Sequence, residues 1–340
     1  MNMHEYLSDD GQTILLLCSS LALPATAAET GLSPLKLSEW NQLERKIRES
    51  ALKTPAALQG RNADELAKAL TLPTDEAERI ARLLEFAGQL SVEVQNLSER
   101  GLWAVTRTDE LYPPHLRDKL KHQAPSVLFG AGHIRLLQRA GVAVVGSRNI
   151  DEAGATFARE VGAKAVAAKL PVVSGGARGT DRIAMEAALE ADGIAFGALA
   201  DSLERTARQA DVREFVSDGT LVLLTPYAPD AGFSVGGAMG RNKLIYGLAE
   251  FAVVVSSDHQ TGGTWAGAVE ALKANWCPVL VRDGDNVPRG NKELLKLGAT
   301  ALPANELAEI PNLAEWVRLH APAKATESEL FDFALRDKPR

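Results

Sequence analysis

Cysteine is nearly absent from this chain. In 340 residues there are two, Cys18 and Cys277, and neither has a second cysteine or a histidine at zinc-ligand spacing. A disulfide framework is excluded as the organising device, and a reducing, cytoplasmic location is expected. The six histidines (His4, His115, His122, His133, His259 and His320) are scattered without an HExxH pattern, so neither a metal nor another cofactor is expected. Long apolar runs are missing as well, since none approaches the roughly 18 residues of a membrane span. Residues 13–30, "TILLLCSSLALPATAAET", come nearest and superficially resemble an export signal. The preceding "MNMHEYLSDD" carries Glu5, Asp9 and Asp10 but no Lys or Arg, whereas an export signal starts with positive charge. Thr13 to Leu23 is therefore read as a buried helix, with no membrane partner. Positive charge is also in deficit: Lys+Arg 37 against Asp+Glu 44 leaves a net charge of −7. Any contact with a polyanion must then come from a local cluster of cations. Two nucleotide signatures are absent too, GxGxxG after the first apolar strand and GxxxxGK[ST] anywhere, which disfavours a dinucleotide oxidoreductase and a P-loop enzyme.

What is present is an ordinary globular composition, 46% hydrophobic and 24% charged. Residues 1–95 read as short capped helices. Ser38 precedes Trp40, Leu43 and Ile47; Asn62 precedes Leu66 and Leu70; Thr74 precedes Ile80, Leu83, Leu84 and Ala87, all at helical spacing. This is a small all-α domain. Residues 96–137, with "LYPPHL" and "QAPSVLFGAG", read as a connecting segment that packs on the next domain. From 138 to 305 the pattern changes to short continuous apolar runs: "VAVVG", "PVVSG", "IAFGAL", "TLVLL", "AVVVSS" and "PVLVR". Strands buried on both faces look like this. Helical stretches such as "EAGATFAREVGAKAVAAKL" and "DRIAMEAALEA" alternate with them, which predicts an α/β fold with a mostly parallel, doubly wound sheet. Residues 306–340 hold "ANELAEI" and "NLAEWVRL", read as short helices, and a flexible polar tail.

In such a sheet the ligand crevice lies beyond the carboxyl ends of the strands. The segments there are "GSRN" (146–149), "SGGARGTD" (174–181), a long glycine-rich loop ending in "GGAMGRNK" (236–243), and "SSDHQTGGTW" (256–265). Glycines let backbone amides approach an anion, a helix start adds unpaired N–H groups, and Arg binds phosphate oxygens through two donors. Arg148, Arg178, Arg241 and Lys243 could converge on one face. Taken alone, "SGGARG" fits a structural turn as well as a phosphate loop; its recurrence at several strand ends favours a binding crevice. Asp181 could cap its helix or touch a ligand, Arg182 reads as a surface charge, and Trp265 could stack a base or merely pack. Asp258 and His259 read as a solvated loop pair.

At these loops the sequence resembles the DNA-processing protein A family (DprA, also Smf) across about residues 95–300. The resemblance is carried by "VAVVGSRN"; by "VVSGGARGTDRIAMEAAL", similar to an SGxARGID segment; and by "LLTPYAPDA". It is carried also by "GRNKLIYGLAE", similar to RNRII-GL, and by "TGGTWAGAVEAL", similar to an SGS helix start. It implies an extended Rossmann-like domain preceded by a SAM-like domain. It also implies sequence-independent single-stranded DNA binding, a part in natural transformation, loading of the RecA recombinase, and a homodimer. Carried over, the DNA-phosphate residues are Gly146, Ser147, Arg148, Ser174, Gly175, Arg178, Gly179, Arg241, Asn242 and Lys243, with Gly262, Gly263 and Thr264 as additional candidates and no catalytic residue. The chain departs from the family in having "ALADSLERTARQAD" without Tyr-Pro, "GGAMG" for Phe-Pro, and Lys243 for an arginine; Lys keeps the charge and loses the two-pronged fork. The competing reading is a nucleotide sensor or a LOG-like nucleotide hydrolase on the same fold. "TGGTWAGAVE" supplies Gly262, Gly263 and Glu270 but does not fit the PGGxGTxxE spacing.

Overall fold

The computed structural model describes residues 6–29 and 31–321. The chain opens with helices α1 (Asp9–Cys18), α2 (Leu37–Glu49), α3 (Ala63–Leu70), α4 (Thr74–Leu84) and α5 (Ala87–Glu99). Ser8 caps α1, its hydroxyl accepting from the Gly11 amide at 3.0 Å, and the apolar run Ile14 to Leu17 is buried. The helix expected over 13–23 therefore begins earlier and stops at Cys18, beyond which the Ser19 hydroxyl donates to the Leu15 carbonyl at 2.7 Å. Asn62 caps α3 in a reciprocal box with Glu65, 3.0 Å each way. Ser38 and Thr74 fall just inside their helices instead, with Lys36 and Pro73 at the caps. The Glu39 carboxylate reaches back to the Lys36 amide at 2.6 Å, and proline already holds the φ that a cap residue takes. Trp40, Leu43, Ile47, Leu66, Leu70, Ile80 and Leu83 are all buried. Among the described residues no helix is long and apolar enough to cross a membrane.

Further along come β1 (Leu102–Thr106), α6 (Pro114–Leu120), β2 (Val127–Ala131), β3 (Gly141–Gly146), α7 (Glu152–Ala167), β4 (Val172–Ser174) and α8 (Thr180–Glu190). They are followed by β5 (Ala195–Ala198), α9 (Leu203–Ala207), α10 (Ala210–Ser217), β6 (Leu221–Thr225), α11 (Val235–Gly247) and β7 (Ala249–Ser256). The last are α12 (Gly262–Ala274), β8 (Val279–Asp283), α13 (Arg289–Lys296), β9 (Thr300–Pro303) and α14 (Leu313–His320). All six apolar runs are strands, β3 to β8, and the fold is the expected α/β class with an open, mostly parallel sheet. Residues 96–137 contribute two further strands, β1 and β2, and "ANELAEI" forms a single 3-10 turn at Leu307–Glu309. The expected flexible tail lies outside the described residues from 322 onward.

Two compact units divide the chain, Met1–Arg139 with Phe196–Leu244, and Ala140–Ala195 with Ile245–Arg340. In the first, β1 and β2 pair antiparallel and β2 pairs antiparallel with β6. Gly130 of β2 leaves room for the indole of Trp103, since a Cβ there would lie 2.2 Å from the ring; the indole N–H donates to the Gly132 carbonyl at 2.9 Å. In the second unit the strand order is β4-β3-β7-β8-β9, and the strands pair in parallel throughout. β4 lies on one side of β3 and β7 on the other, so the winding direction changes between β3 and β7, where an open sheet forms its crevice.

Helices α7 and α8 of this unit pack against each other through Gly162. A Cβ at that position would stand 2.7 Å from the Ala184 carbonyl oxygen and 3.2 Å from the Ala187 methyl, so the helices approach at backbone distance. Gly162→Val is expected to lose about 1–3 kcal/mol through overpacking, with little return in helix propensity from a β-branched residue. Urea unfolding checks this, and an unchanged midpoint would show that the two helices do not meet there.

Candidate functional site

Seven of the expected phosphate residues lie in the second unit, at the ends of β3 and β4 and on the loops that follow, and the structure ties these loops together. The Thr180 amide and hydroxyl both donate to the Ser147 carbonyl, at 3.2 and 3.1 Å. Arg178 Nη2 donates to Asn149 Oδ1 at 3.1 Å. Gly179 makes this approach feasible: at φ +85 and ψ −130, a Cβ would stand 2.6 Å from the carbonyl oxygens of Ser147 and Arg148. Gly146 is likewise required, with a Cβ 2.4 Å from Thr180 Oγ1. Arg148 and Arg178 are both exposed, so two cations stand on adjoining loops at the carboxyl edge of neighbouring parallel strands.

The polar side chains divide between structure and surface. Ser174 is buried, and its hydroxyl donates to the Val144 carbonyl at 2.6 Å, tying β4 to β3. Ser147 closes a turn, its hydroxyl donating to the Asn149 carbonyl at 2.9 Å and accepting from the Asn149 amide at 3.1 Å. Asp181 is buried, and its carboxylate accepts from the Gly175 amide at 3.1 Å. It thus holds the loop from the inside and takes up one amide that a phosphate could otherwise use. Arg182 pairs with Glu186 one helical turn along, at 2.6 Å, both side chains being exposed. At the end of β7, Gly262 and Gly263 are exposed and Thr264 is half-buried, with Gly262 at φ +80 in open space. There His259 meets Trp265 edge to face, ring centroids 5.1 Å apart, so these two side chains pack against each other. Asn291, which no sequence signal marked, is fully buried. It accepts from the Ser257 amide at 2.9 Å and donates to the carbonyls of Val255 and Arg282 at 3.1 and 3.0 Å, fastening the ends of β7 and β8.

Arg241, Asn242 and Lys243 lie in the first unit, and the segment "GGAMGRNK" is helical, part of α11, where a loop was expected. Gly240 serves packing: a Cβ there would lie 2.7 Å from the Tyr227 hydroxyl, which itself donates to the Gly237 carbonyl at 2.9 Å. Arg241 is buried at 7% exposure. Burial raises the Tyr227 phenol above its ordinary pKa, and the positive charge of Arg241 works against that rise. Lys243 Nζ donates to Gln123 Oε1 at 2.7 Å and borders a cavity of 590 Å³ with Tyr227, Asn41, His122 and Cys18. Burial raises the Cys18 thiol to about 12, which leaves it protonated and unreactive at neutral pH.

Residues 103–312, more than half of the chain, match the family described as DNA recombination-mediator protein A. The chain belongs to that family. DNA processing protein DprA of Streptococcus pneumoniae is 31% identical to this family member over 156 residues, 45% of this chain and 54% of the relative. Protein Smf of Escherichia coli is 28% identical over 155 residues, 45% of this chain and 41% of the relative. The matches thus span only about half or less of each curated relative. Among solved structures, S. pneumoniae DprA superposes with a TM-score of 0.63 at 22% identity, covering 89% of this chain and 98% of the other. DNA processing protein A from Helicobacter pylori, the subject of a structural study of single-stranded DNA binding, gives 0.50 at 23% identity, covering 62% and 94%. Both likenesses concern the fold.

In this family member the joined β3 and β4 loops depend on Gly179. Gly179→Ala is expected to destabilise by at least about 1–3 kcal/mol, because its backbone conformation is one that side chains avoid. Urea unfolding measures it, and wild-type stability in the variant would mean that the loops do not meet as described.

Proposed function

We propose that the chain binds single-stranded DNA through its phosphate backbone, without sequence preference. It would act in DNA processing, in uptake during natural transformation, and in RecA-mediated recombination. The observation that carries this reading is the pair of exposed guanidinium groups, Arg148 and Arg178, on joined loops beyond parallel strand ends of a family member. Exposed arginines present planar forks to phosphate oxygens and read no base edges. That division of labour gives affinity without sequence preference. Gly146, Ser147, Ser174, Gly175 and Gly179 shape the loops; Gly262, Gly263 and Thr264 add backbone donors at the start of α12; Arg241, Asn242 and Lys243 form a second set on the other unit. No catalytic step is assigned. Asp181, at the start of α8, already holds the Gly175 amide and is a poor candidate for a general base. A cytoplasmic homodimer completes the reading.

Fluorescence anisotropy with labelled oligonucleotides of differing sequence, over a salt series, tests it. Affinity is expected to fall with salt at a log–log slope of about −0.7 per phosphate contacted. Arg148→Ala and Arg178→Ala are each expected to weaken binding about tenfold on every sequence, the order lost with one hydrogen bond to a charged group, and to make the slope shallower. A wild-type protein that ignores single-stranded DNA at low salt, yet binds or cleaves a mononucleotide, would overturn the proposal in favour of nucleotide chemistry.

A further inference from the structure

Arg282 lies near the end of β8 in the second unit, and its side chain is only 4% exposed. Among the described residues its ionic partner is Asp151, with Nη1 3.7 Å from Oδ1, and that carboxylate is itself 57% exposed. Arg282 Nε is buried and has no hydrogen-bond partner. A guanidinium withdrawn from water is ordinarily paired closely and hydrogen-bonded throughout, and this one is compensated by a single long contact.

The same Asp151 oxygen has a second task. Asp151 is the N-cap of α7, a helix of 16 residues, and its Oδ1 accepts from the Gly154 amide at 2.8 Å. One carboxylate oxygen thus sits between a helix N-terminus and a buried guanidinium, which is where an oxygen of a bound phosphate sits when a helix start and an arginine hold it together. Asn291 holds the Arg282 carbonyl from behind at 3.0 Å, so the strand end that carries the guanidinium is fixed.

We propose that Arg282 and the N-terminus of α7 form a separate anion site that takes a phosphate group, and that Asp151 is its built-in placeholder. The half-exposed carboxylate swings outward, the phosphate takes over the Gly154 amide, and Arg282 Nη1 gains an acceptor closer than the 3.7 Å contact it has with Asp151. The site does not depend on the reading of Arg148 and Arg178. It predicts an unusual gain: removing a negative charge from Asp151 strengthens anion binding instead of merely loosening the helix.

Asp151→Asn keeps an oxygen to cap the helix and removes the competing charge. By calorimetry at fixed ionic strength, the full chain carrying this change is expected to bind inorganic phosphate about fivefold more tightly than wild type, the factor for one unit charge at about 4 Å in a water-like medium. Its melting temperature should rise further on adding phosphate, by linkage. Arg282→Met in the same background keeps the bulk of the side chain, is expected to fold because an undercompensated buried charge is removed, and should abolish the gain. A thymidine oligonucleotide is titrated in parallel. Tightening for the oligonucleotide alone assigns the site to a strand phosphate, and tightening for inorganic phosphate assigns it to the free ion as well. If Asp151→Asn binds neither probe more tightly than wild type, the proposal fails, whatever the salt series shows for Arg148 and Arg178.

Discussion

A carbonyl oxygen, that of Ser147, receives both the amide and the hydroxyl of Thr180, and everything at this end of the second unit rests on the approach that permits those two bonds. The approach exists because residue 179 has no side chain. With the loops in contact, Arg178 reaches Asn149 and stands on the same edge as Arg148. With the loops apart, the same arginines would belong to two unrelated turns. Gly146 and Gly179 therefore act on charge placement, although neither carries a charge.

The electrostatics of the edge depend on how its donors are shared out. In a phosphate loop of the Gly-rich nucleotide-binding kind, successive amides all face the anion. Here the Gly175 amide is turned to Asp181, and the Ser174 hydroxyl is turned to the Val144 carbonyl. The loop is stiffened by these inward bonds and offers fewer donors of its own, so binding of an anion there would depend more on the exposed guanidinium groups. Long, exposed cations on a stiff edge suit a polyanion whose phosphates arrive at varied positions. They suit a single, enclosed nucleotide less well. The net charge of −7 makes such a local arrangement necessary, because the protein as a whole repels nucleic acid.

Much of this was legible in the sequence, and the reasons differ by element. Strands β3 to β8 were visible because burial on both faces leaves unbroken apolar runs. β1 and β2 were hidden: "LWAVT" and "VLFGA" are as fully buried, but Pro113, Pro114, Pro125 and Gly130 break up the surrounding pattern. Glycines misled in α11, where Gly240 accommodates Tyr227 inside a helix and reads in sequence as part of a loop. At the site, residue types and strand-end positions could be read, whereas side-chain direction could not. Nothing in "VVSGGARGTD" says that Ser174 points inward, that Asp181 is spent on an amide, or that Arg178 is the outward member. Asn291 and Arg282 carried no signal because a buried polar residue at a strand or helix end looks, in sequence, like a solvated one.

The arginines of the second unit's carboxyl edge thus fall into two thermodynamic classes. Arg148 and Arg178 are exposed, so their desolvation would be deferred until an anion arrives, and each encounter would be weak, salt-sensitive and reversible. Arg282 was desolvated when the chain folded, and that cost is already included in the stability of the unit. An anion that reaches it gains the interaction without a second desolvation of the cation, which is the advantage of a preorganised site. The carboxylate of Asp151 offsets part of the folding cost and competes with the ligand by the same charge. Were the chain to hold single strands as proposed, the first class of arginine would give loose contacts and the second a fixed point. Both occur on one sheet edge because a parallel sheet ends its strands together and starts its helices just beyond them.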